Sequence, residues 1–228
     1  MSDKLLLLAV FVASMLLMAG NHRRKRTKIV FFGDSITNYG ARPGGYITRI
    51  LRILKEAEIE YNYELAGAGV DGNTVFDLYE RTDSDILSKG ADIVVILIGI
   101  NDVWHKLSGK GTDKMTFERI YEAIIKKLQP AAIKIVLCTP TVIGERLHYM
   151  NEQDADLEIY CEIVRNLASK YELPFADLRK AFLNYNFINN INDNEYGILT
   201  YDRVHLNENG NQLVAEEMWK VLQQVKEL

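Results

Sequence analysis

The 228-residue chain has little that could staple it or hold a metal. It contains two cysteines, Cys138 and Cys161. Two thiols cannot build a disulfide framework, and no CxxC or Cys/His cluster has the spacing of a zinc site. Counting alone leaves one bridge between them open, and with it the redox compartment. Proline is scarce, at four residues, and no Pro/Gly/Ser-rich linker or internal repeat divides the chain. Positive charge is scarce after the first segment. Residues 1–26 hold five basic residues (Lys4, Arg23, Arg24, Lys25, Arg26) and one acidic residue, Asp3, which leaves 22 basic against 30 acidic residues in the body. A body with that excess of carboxylates is a poor nucleic-acid binder, because neutralising phosphates needs clustered Lys and Arg. What remains is ordinary globular composition, 48% hydrophobic and 25% charged, enough to bury a full core without staples.

The single uncharged apolar stretch, Leu5–Gly20, is shorter than the roughly 20 residues of a spanning helix. Lys4 before it and Ala19-Gly20 after it fit a signal peptide. Asp3 and the bulky Met18 fit that reading less well, and the basic run His22–Arg26 opposes translocation of the chain beyond it. The expectation is residues 1–26 as a signal peptide or membrane anchor plus a basic linker, with residues 27–228 as one domain. An exported, extracytoplasmic body is favoured. A membrane-anchored cytoplasmic body is the alternative, and an apolar tail without a role is the bland one.

From Thr27 onward, strand and helix patterns alternate. Lys28–Phe32 is a short apolar run ending at Gly33, the pattern of a buried parallel strand. A loop with Gly40 and Pro43–Gly45 precedes a helical stripe at Ile47, Ile50, Leu51 and Leu54. Glu60–Leu65 reads as a second strand, Gly67–Gly72 as a glycine-rich turn, and Thr74–Arg81 as a helix. Ile93–Ile98, Lys134–Leu137 and Phe175–Leu178 read as further strands. Helical stripes run from Phe117 to Leu128, from Leu157 to Ala168 (with Cys161 in the core) and from Val214 to Val225. Thr139–Gln153 reads as a rim loop and the asparagine-rich Asn184–Asn194 as a mobile one. Five strands alternating with helices imply a three-layer α/β/α fold: a doubly wound parallel sheet with right-handed crossovers. Ligands of such sheets bind outside the carboxyl ends of the strands.

The strand exits carry Gly33-Asp34-Ser35-Ile36-Thr37, Gly67–Thr74 and Gly99-Ile100-Asn101-Asp102. Asp202-Arg203-Val204-His205 precedes the last helix. Each alone has an ordinary explanation. Ser35 between strand and helix would usually be an N-cap. The Gly67/Gly69/Gly72 spacing matches GxGxxG, but it follows the second strand and no P-loop Lys-Ser/Thr follows, which disfavours a nucleotide site. A lone His is more often structural than catalytic. Together they supply every part that acyl transfer needs. Ser35 offers a hydroxyl, His205 a base that can return the proton to a leaving alcohol, and Asp202 a group to orient the imidazole. The Ser35 and Gly72 N–H groups and the Asn101 amide can converge on an oxyanion. Asp34, Trp104, His105 and Arg203 are candidates for lining the substrate pocket. Arg42, beside Tyr39 and Tyr46, could meet an anionic substrate, although a surface ion pair is the plainer expectation.

The blocks GDSIT, GAGVDGNT, GIND and DRVH resemble the SGNH hydrolases, the GDSL esterase/lipase family, over essentially the whole body and in the family's block order. The carbohydrate-esterase and lysophospholipase-like branches are the nearer ones. The resemblance implies a flavodoxin-like sheet of order 2-1-3-4-5. It also implies Ser35 as nucleophile, Gly72 and Asn101 as oxyanion donors, and His205 as base with Asp202 behind it. The family usually has Asn where this chain has Gly67, and often Gly where it has Arg203. The first departure bears on turn geometry, while the second places a guanidinium near the site entrance.

The expected activity is hydrolysis of small acyl esters, acetyl above all, on a carbohydrate. An acyltransferase, a lysophospholipase or a thioesterase would use the same serine chemistry. A non-catalytic binding module is opposed by the intact set. No metal or organic cofactor is implied. The expected partner is a small-molecule, glycan or lipid ester. Nucleic acid is not expected, and membrane attachment would run through residues 5–20.

Overall fold

A computed structural model describes residues 25–227. The Leu5–Gly20 segment lies outside the described residues. Among the described residues, no helix is long and apolar enough to cross a membrane.

Five strands form one parallel sheet: β1 (Thr27–Gly33), β2 (Tyr63–Gly69), β3 (Ile93–Leu97), β4 (Lys134–Cys138) and β5 (Phe175–Ala176). Their order is β2-β1-β3-β4-β5, as the family resemblance implies. Gly33 pairs with Gly69 on one side and Leu97 on the other, Leu97 with Cys138, and Cys138 with Ala176. All five carboxyl ends therefore finish along one edge.

β1 and β3 are unbroken apolar runs because both faces are covered. Ile29–Phe32 and Ile93–Leu97 are all buried. Burying each such side chain stabilises the fold by roughly 1.5–3 kcal/mol before entropy is counted. On one face lie α2 (Tyr46–Glu56) and α8 (Glu208–Glu227), packed together, with α7 (Leu178–Asn189) beside α8. On the other lie α3 (Val75–Thr82), α5 (Lys114–Leu128) and α6 (Asp154–Lys170), each packed on the next. Two short helices, α1 (Ser35–Gly40) and α4 (Ile100–Trp104), leave the ends of β1 and β3.

Several local expectations give way. The second strand starts at Tyr63, after a 3₁₀ turn over Glu60–Asn62, and runs through Gly69. Gly67 and Gly69 are thus strand residues. Gly69 has a packing reason to be glycine: a Cβ there would meet the backbone of Asp34, Thr37 and Asn38. The expected loop after Gly33 begins as α1. Asn184–Asn194 is no loose loop, since α7 continues to Asn189 and Asn190 is buried. The Asn190 amide donates to the carbonyls of Glu145 and Asn194 and accepts the Asn194 N–H, each at 2.8 Å. Cys138 and Cys161 are both free and buried.

Replacing Gly69 with alanine sets a methyl group against main chain that has no rotamer to move. Gly69→Ala should cost about 1–3 kcal/mol, the range for overpacking, and should lower activity by displacing the Ser35 turn. Denaturant melts alongside ester turnover check this. An unaltered melt would mean that the turn yields freely.

Candidate active site

At the end of β1 the chain must turn sharply into α1. Asp34 is the residue that caps this helix: its Oδ1 accepts the Ile36 N–H at 2.9 Å. The cap role that Ser35 could have taken therefore falls to its neighbour, and the serine hydroxyl is left for something else. Asp34 itself is buried, and its Oδ2 has no partner among the described residues. Burial pushes its carboxyl up to about 7; the Ile36 N–H works against the rise and the charge of Asp102 adds to it. A side chain enclosed in this way cannot line a substrate pocket, which corrects that expectation for Asp34.

The Ser35 hydroxyl lies 3.0 Å from His205 Nε2. Asp202 Oδ2 lies 2.6 Å from the other ring nitrogen, Nδ1. The local sequence makes this geometry. Asp202 Oδ1 accepts the N–H groups of Val204 at 3.1 Å and His205 at 2.7 Å, a side-chain-capped turn. That turn brings the imidazole back over the carboxyl. With the proton on Nδ1, Nε2 is the acceptor for the serine hydroxyl. Burial works to raise the Asp202 carboxyl, but the bonds from the His205 ring and the two backbone N–H groups hold it below its ordinary range.

Asn101 sits in α4, directly after β3, and its Nδ2 donates to the Asn73 carbonyl at 3.0 Å. That bond uses one of two amide hydrogens and fixes the plane of the amide. Gly72, in the turn after β2, has φ +76°, a conformation that favours glycine. Neither the Ser35 nor the Gly72 N–H donates to a protein acceptor among the described residues. Two buried or half-buried side chains hold this turn. Asp102 accepts the Val75 N–H at 3.2 Å to each oxygen, and burial pushes its carboxyl up to about 6. Arg81 donates to Gly33 O at 2.6 Å, Ala68 O at 2.9 Å and Asn73 Oδ1 at 2.7 Å, tying the exits of β1 and β2 together.

Aromatic rings surround the imidazole. Tyr201 stacks on it at 5.7 Å between centroids, Tyr39 lies tilted at 5.2 Å, and Trp104 approaches edge-on at 6.3 Å. Two clefts open on either side of these rings. One, of about 480 Å³, is lined by Tyr39, Arg42, Arg49, Tyr201, Asn207 and Glu208. The other, of about 300 Å³, is lined by Trp104, Ile143, Arg146, Gln153, Glu195 and Arg203. Trp104 and Arg203 thus share a cleft beside the Ser35–His205–Asp202 relay. His105 does not reach that cleft; it stacks behind Trp104 at 6.2 Å. Arg203 holds φ +83° without being glycine and pairs with Glu195 at 2.9 Å. A further cleft of about 570 Å³, between Arg146–Tyr149 and α7, contains none of the nucleophile, base or oxyanion candidates.

Glu145 is not legible in the sequence as part of this site. It is buried, and its carboxyl accepts three consecutive N–H groups: Ile198 at 2.8 Å, Leu199 at 2.8 Å and Thr200 at 2.5 Å. The neighbouring Gly144 N–H donates to the Arg203 carbonyl at 2.8 Å. Glu145 therefore fixes the segment that presents Asp202 and His205. No motif marks it; the only signal is an acidic residue ending the apolar run Val142-Ile143-Gly144.

With this geometry in place, comparison with known proteins is direct. The GDSL-like lipase/acylhydrolase family matches residues 31–213. The chain belongs to that family and is a carboxylic ester hydrolase. It is similar to an acetylxylan esterase of Geobacillus stearothermophilus, 30% identical over 208 residues that make up 82% of this chain and 90% of that one. The crystal structure of the acetyl xylan esterase AlAXEase superposes with a TM-score of 0.83 at 52% identity, covering 85% of this chain and 98% of the other. A lipoprotein of Bacillus subtilis, YqeF, is 28% identical over 185 residues, 72% of this chain and 76% of its own length.

Two expectations arise from the supporting residues. Glu145→Gln places an amide N–H against backbone donors, and each orphaned group costs about 1–3 kcal/mol. The variant should lose about tenfold or more in kcat with little change in KM, because Glu145 anchors the segment carrying the imidazole expected to act in the chemical step. A kcat equal to wild type would remove Glu145 from the site's support. Asp34 governs a pH dependence. Unfolded, its carboxyl releases its proton near 4; folded, it does so at about 7. Between these values the native state binds more protons, so this group's contribution to stability falls as pH rises from about 4 to 7. Asp34→Asn should flatten that fall in urea titrations between pH 4.5 and 8. An identical slope in the variant would contradict it.

Proposed function

We propose that this chain is a serine esterase that removes acetyl groups from carbohydrate esters, acetylated xylo-oligosaccharides among them. The observation that carries the reading is the continuous relay from Ser35 Oγ through the His205 ring to Asp202, at 3.0 and 2.6 Å. The relatives that are acetylxylan esterases support the acetyl group and the carbohydrate.

In this reading Ser35 Oγ attacks the acetyl carbonyl carbon while its proton passes to His205 Nε2. The carbonyl oxygen takes up the negative charge, which the Ser35 and Gly72 N–H groups and the Asn101 amide meet. Losing one such donor typically costs ~10²–10³ in rate. The tetrahedral intermediate collapses, the C–O bond to the sugar breaks, and His205 returns the proton to the departing hydroxyl. Water then repeats the sequence against the acetyl-serine ester and releases acetate. Asp202 stays ionised throughout and balances the imidazolium. Trp104 and Arg203 form the wall of one cleft into which the sugar extends. The apolar segment Leu5–Gly20 and the likeness to a lipoprotein support an extracytoplasmic setting, where such glycans are met.

The test is a nitrophenyl ester series from acetyl to decanoyl together with acetylated xylo-oligosaccharide, using wild type and Ser35→Ala. Acetyl should be the fastest acyl group, with turnover falling as the chain lengthens. Ser35→Ala should lose about 10⁴-fold or more with an unchanged melting curve. Retained activity in that variant would remove Ser35 as nucleophile, and a maximum at long chains would replace the carbohydrate ester with a lipid.

A further inference from the structure

The sequence offers a surface ion pair as the plainest role for Arg42, and the structure does not provide one. Among the described residues no carboxylate lies within ion-pair distance of it, and its side chain makes no hydrogen bond; its guanidinium rests 4.0 Å over the ring of Tyr39. That ring in turn packs against the imidazole of His205. Arg42 is therefore an exposed cation held one ring away from the reacting atoms, at the mouth of the cleft of about 480 Å³.

The rest of that cleft is built to hold this arrangement. Arg49 donates to the Gly44 carbonyl at 2.7 Å and to Gln212 Oε1 at 2.8 Å, so it braces the Arg42–Gly45 turn without meeting a carboxylate. Asp71, an acid on the Tyr39 side, accepts the Asn38 amide at 2.8 Å and the Tyr39 hydroxyl at 3.5 Å, and it makes no ion pair with Arg42. Glu208 also lines the cleft and pairs with no cation among the described residues. Tyr201 forms the opposite wall, half-exposed, its ring parallel to the imidazole to within 17°. An aromatic wall suits the apolar face of a sugar ring, and a planar guanidinium matches a carboxylate with two parallel N–H bonds. In a body with eight more acidic than basic residues, an exposed guanidinium with no ion pair among the described residues, one ring from the imidazole, is free to receive an anionic group.

We propose that the cleft between Tyr39, Arg42 and Tyr201 receives a sugar unit bearing a carboxylate, so that acetyl esters on acidic glycans are preferred over neutral ones. The inference rests on the carbohydrate-ester reading given above and narrows it.

The experiment measures acetate release from two pools of acetylated xylo-oligosaccharide, one neutral and one carrying a uronic acid side unit, at low ionic strength. The full chain is used as wild type, Ser35→Ala and Arg42→Gln, with melting curves recorded for each. The ratio of kcat/KM, acidic over neutral, should be about five in wild type, the upper range for an exposed ion pair. It should fall to about one in Arg42→Gln. A ratio of one or less in wild type, with Ser35-dependent release from the neutral pool, overturns the acidic preference and leaves the esterase reading standing. Absence of Ser35-dependent release from both pools overturns the esterase reading and this inference with it. A ratio that survives in a folded Arg42→Gln protein overturns the assignment to Arg42.

Discussion

The parallel sheet delivers its ends to one edge, but the imidazole that meets Ser35 comes from elsewhere. Ser35, Gly72 and Asn101 follow β1, β2 and β3 within a few residues, so the ladder of backbone bonds already fixes them. Asp202 and His205 lie in a segment that belongs to no strand. Its position depends on the buried carboxyl of Glu145 and the three N–H groups that converge on it. Around that anchor the chain closes on itself: Thr200 bridges Leu206, and the Tyr201 N–H meets the His205 carbonyl at 3.0 Å. Asn190 then ties the end of α7 to the Glu145 carbonyl. The reach between imidazole and serine is thus set by an acid with no part in the reaction. A fixed hydrogen-bond network can hold a functional group to the few tenths of an ångström that chemistry requires, where a loose loop cannot.

Much of this is legible because parallel strands and amphipathic helices write their periods into the sequence. The runs at Ile29–Phe32 and Ile93–Leu97 are buried on both faces, and so short an apolar string bounded by turn residues is the mark of a central parallel strand. Block order alone places Ser35, Gly72 and Asn101 at one edge, because each follows a strand whose end the sheet aligns. Contacts between distant segments are not legible. Glu145 accepts bonds from residues more than fifty positions away, and no local pattern announces that. Asn184–Asn194 looks like loop by composition, yet the buried Asn190 amide satisfies backbone groups of Glu145 and Asn194, a tertiary contact that composition does not announce. Gly67 and Gly69 look like a turn because glycine marks turns, but Gly69 is there to let the backbone of α1 pass close by. Asp34 looks able to reach a substrate because it neighbours the nucleophile; the helix cap turns it inward.

The electrostatics of the site come from burial more than from ion pairs. Asp34 and Asp102 neighbour Ser35 and Asn101 in the chain, and enclosure pushes both carboxyls upward, to about 7 and about 6. Asp202, with its bonds to the imidazole and two backbone groups, goes the other way. Three acids within one edge are thus sorted by their surroundings: two serve as fixed acceptors for backbone N–H groups and one remains a charge. The rings of Tyr39, Trp104 and Tyr201 complete this by limiting the approach of water to the imidazole while leaving a cleft open on each side.

β1 runs from Lys25 and Arg26 to the turn that carries Ser35. At its start, Lys25 pairs with Asp92 at 2.7 Å and Arg26 donates to the Tyr63 carbonyl at 2.8 Å, both at the amino ends of the strands. Seven residues of extended chain put about 23 Å between that end and the edge where Ser35 sits. The described chain therefore enters the sheet at the pole opposite the one where Ser35 and His205 meet. The two clefts beside the imidazole open at that far pole, so a group attached ahead of Lys25 would stand a full strand length away from them.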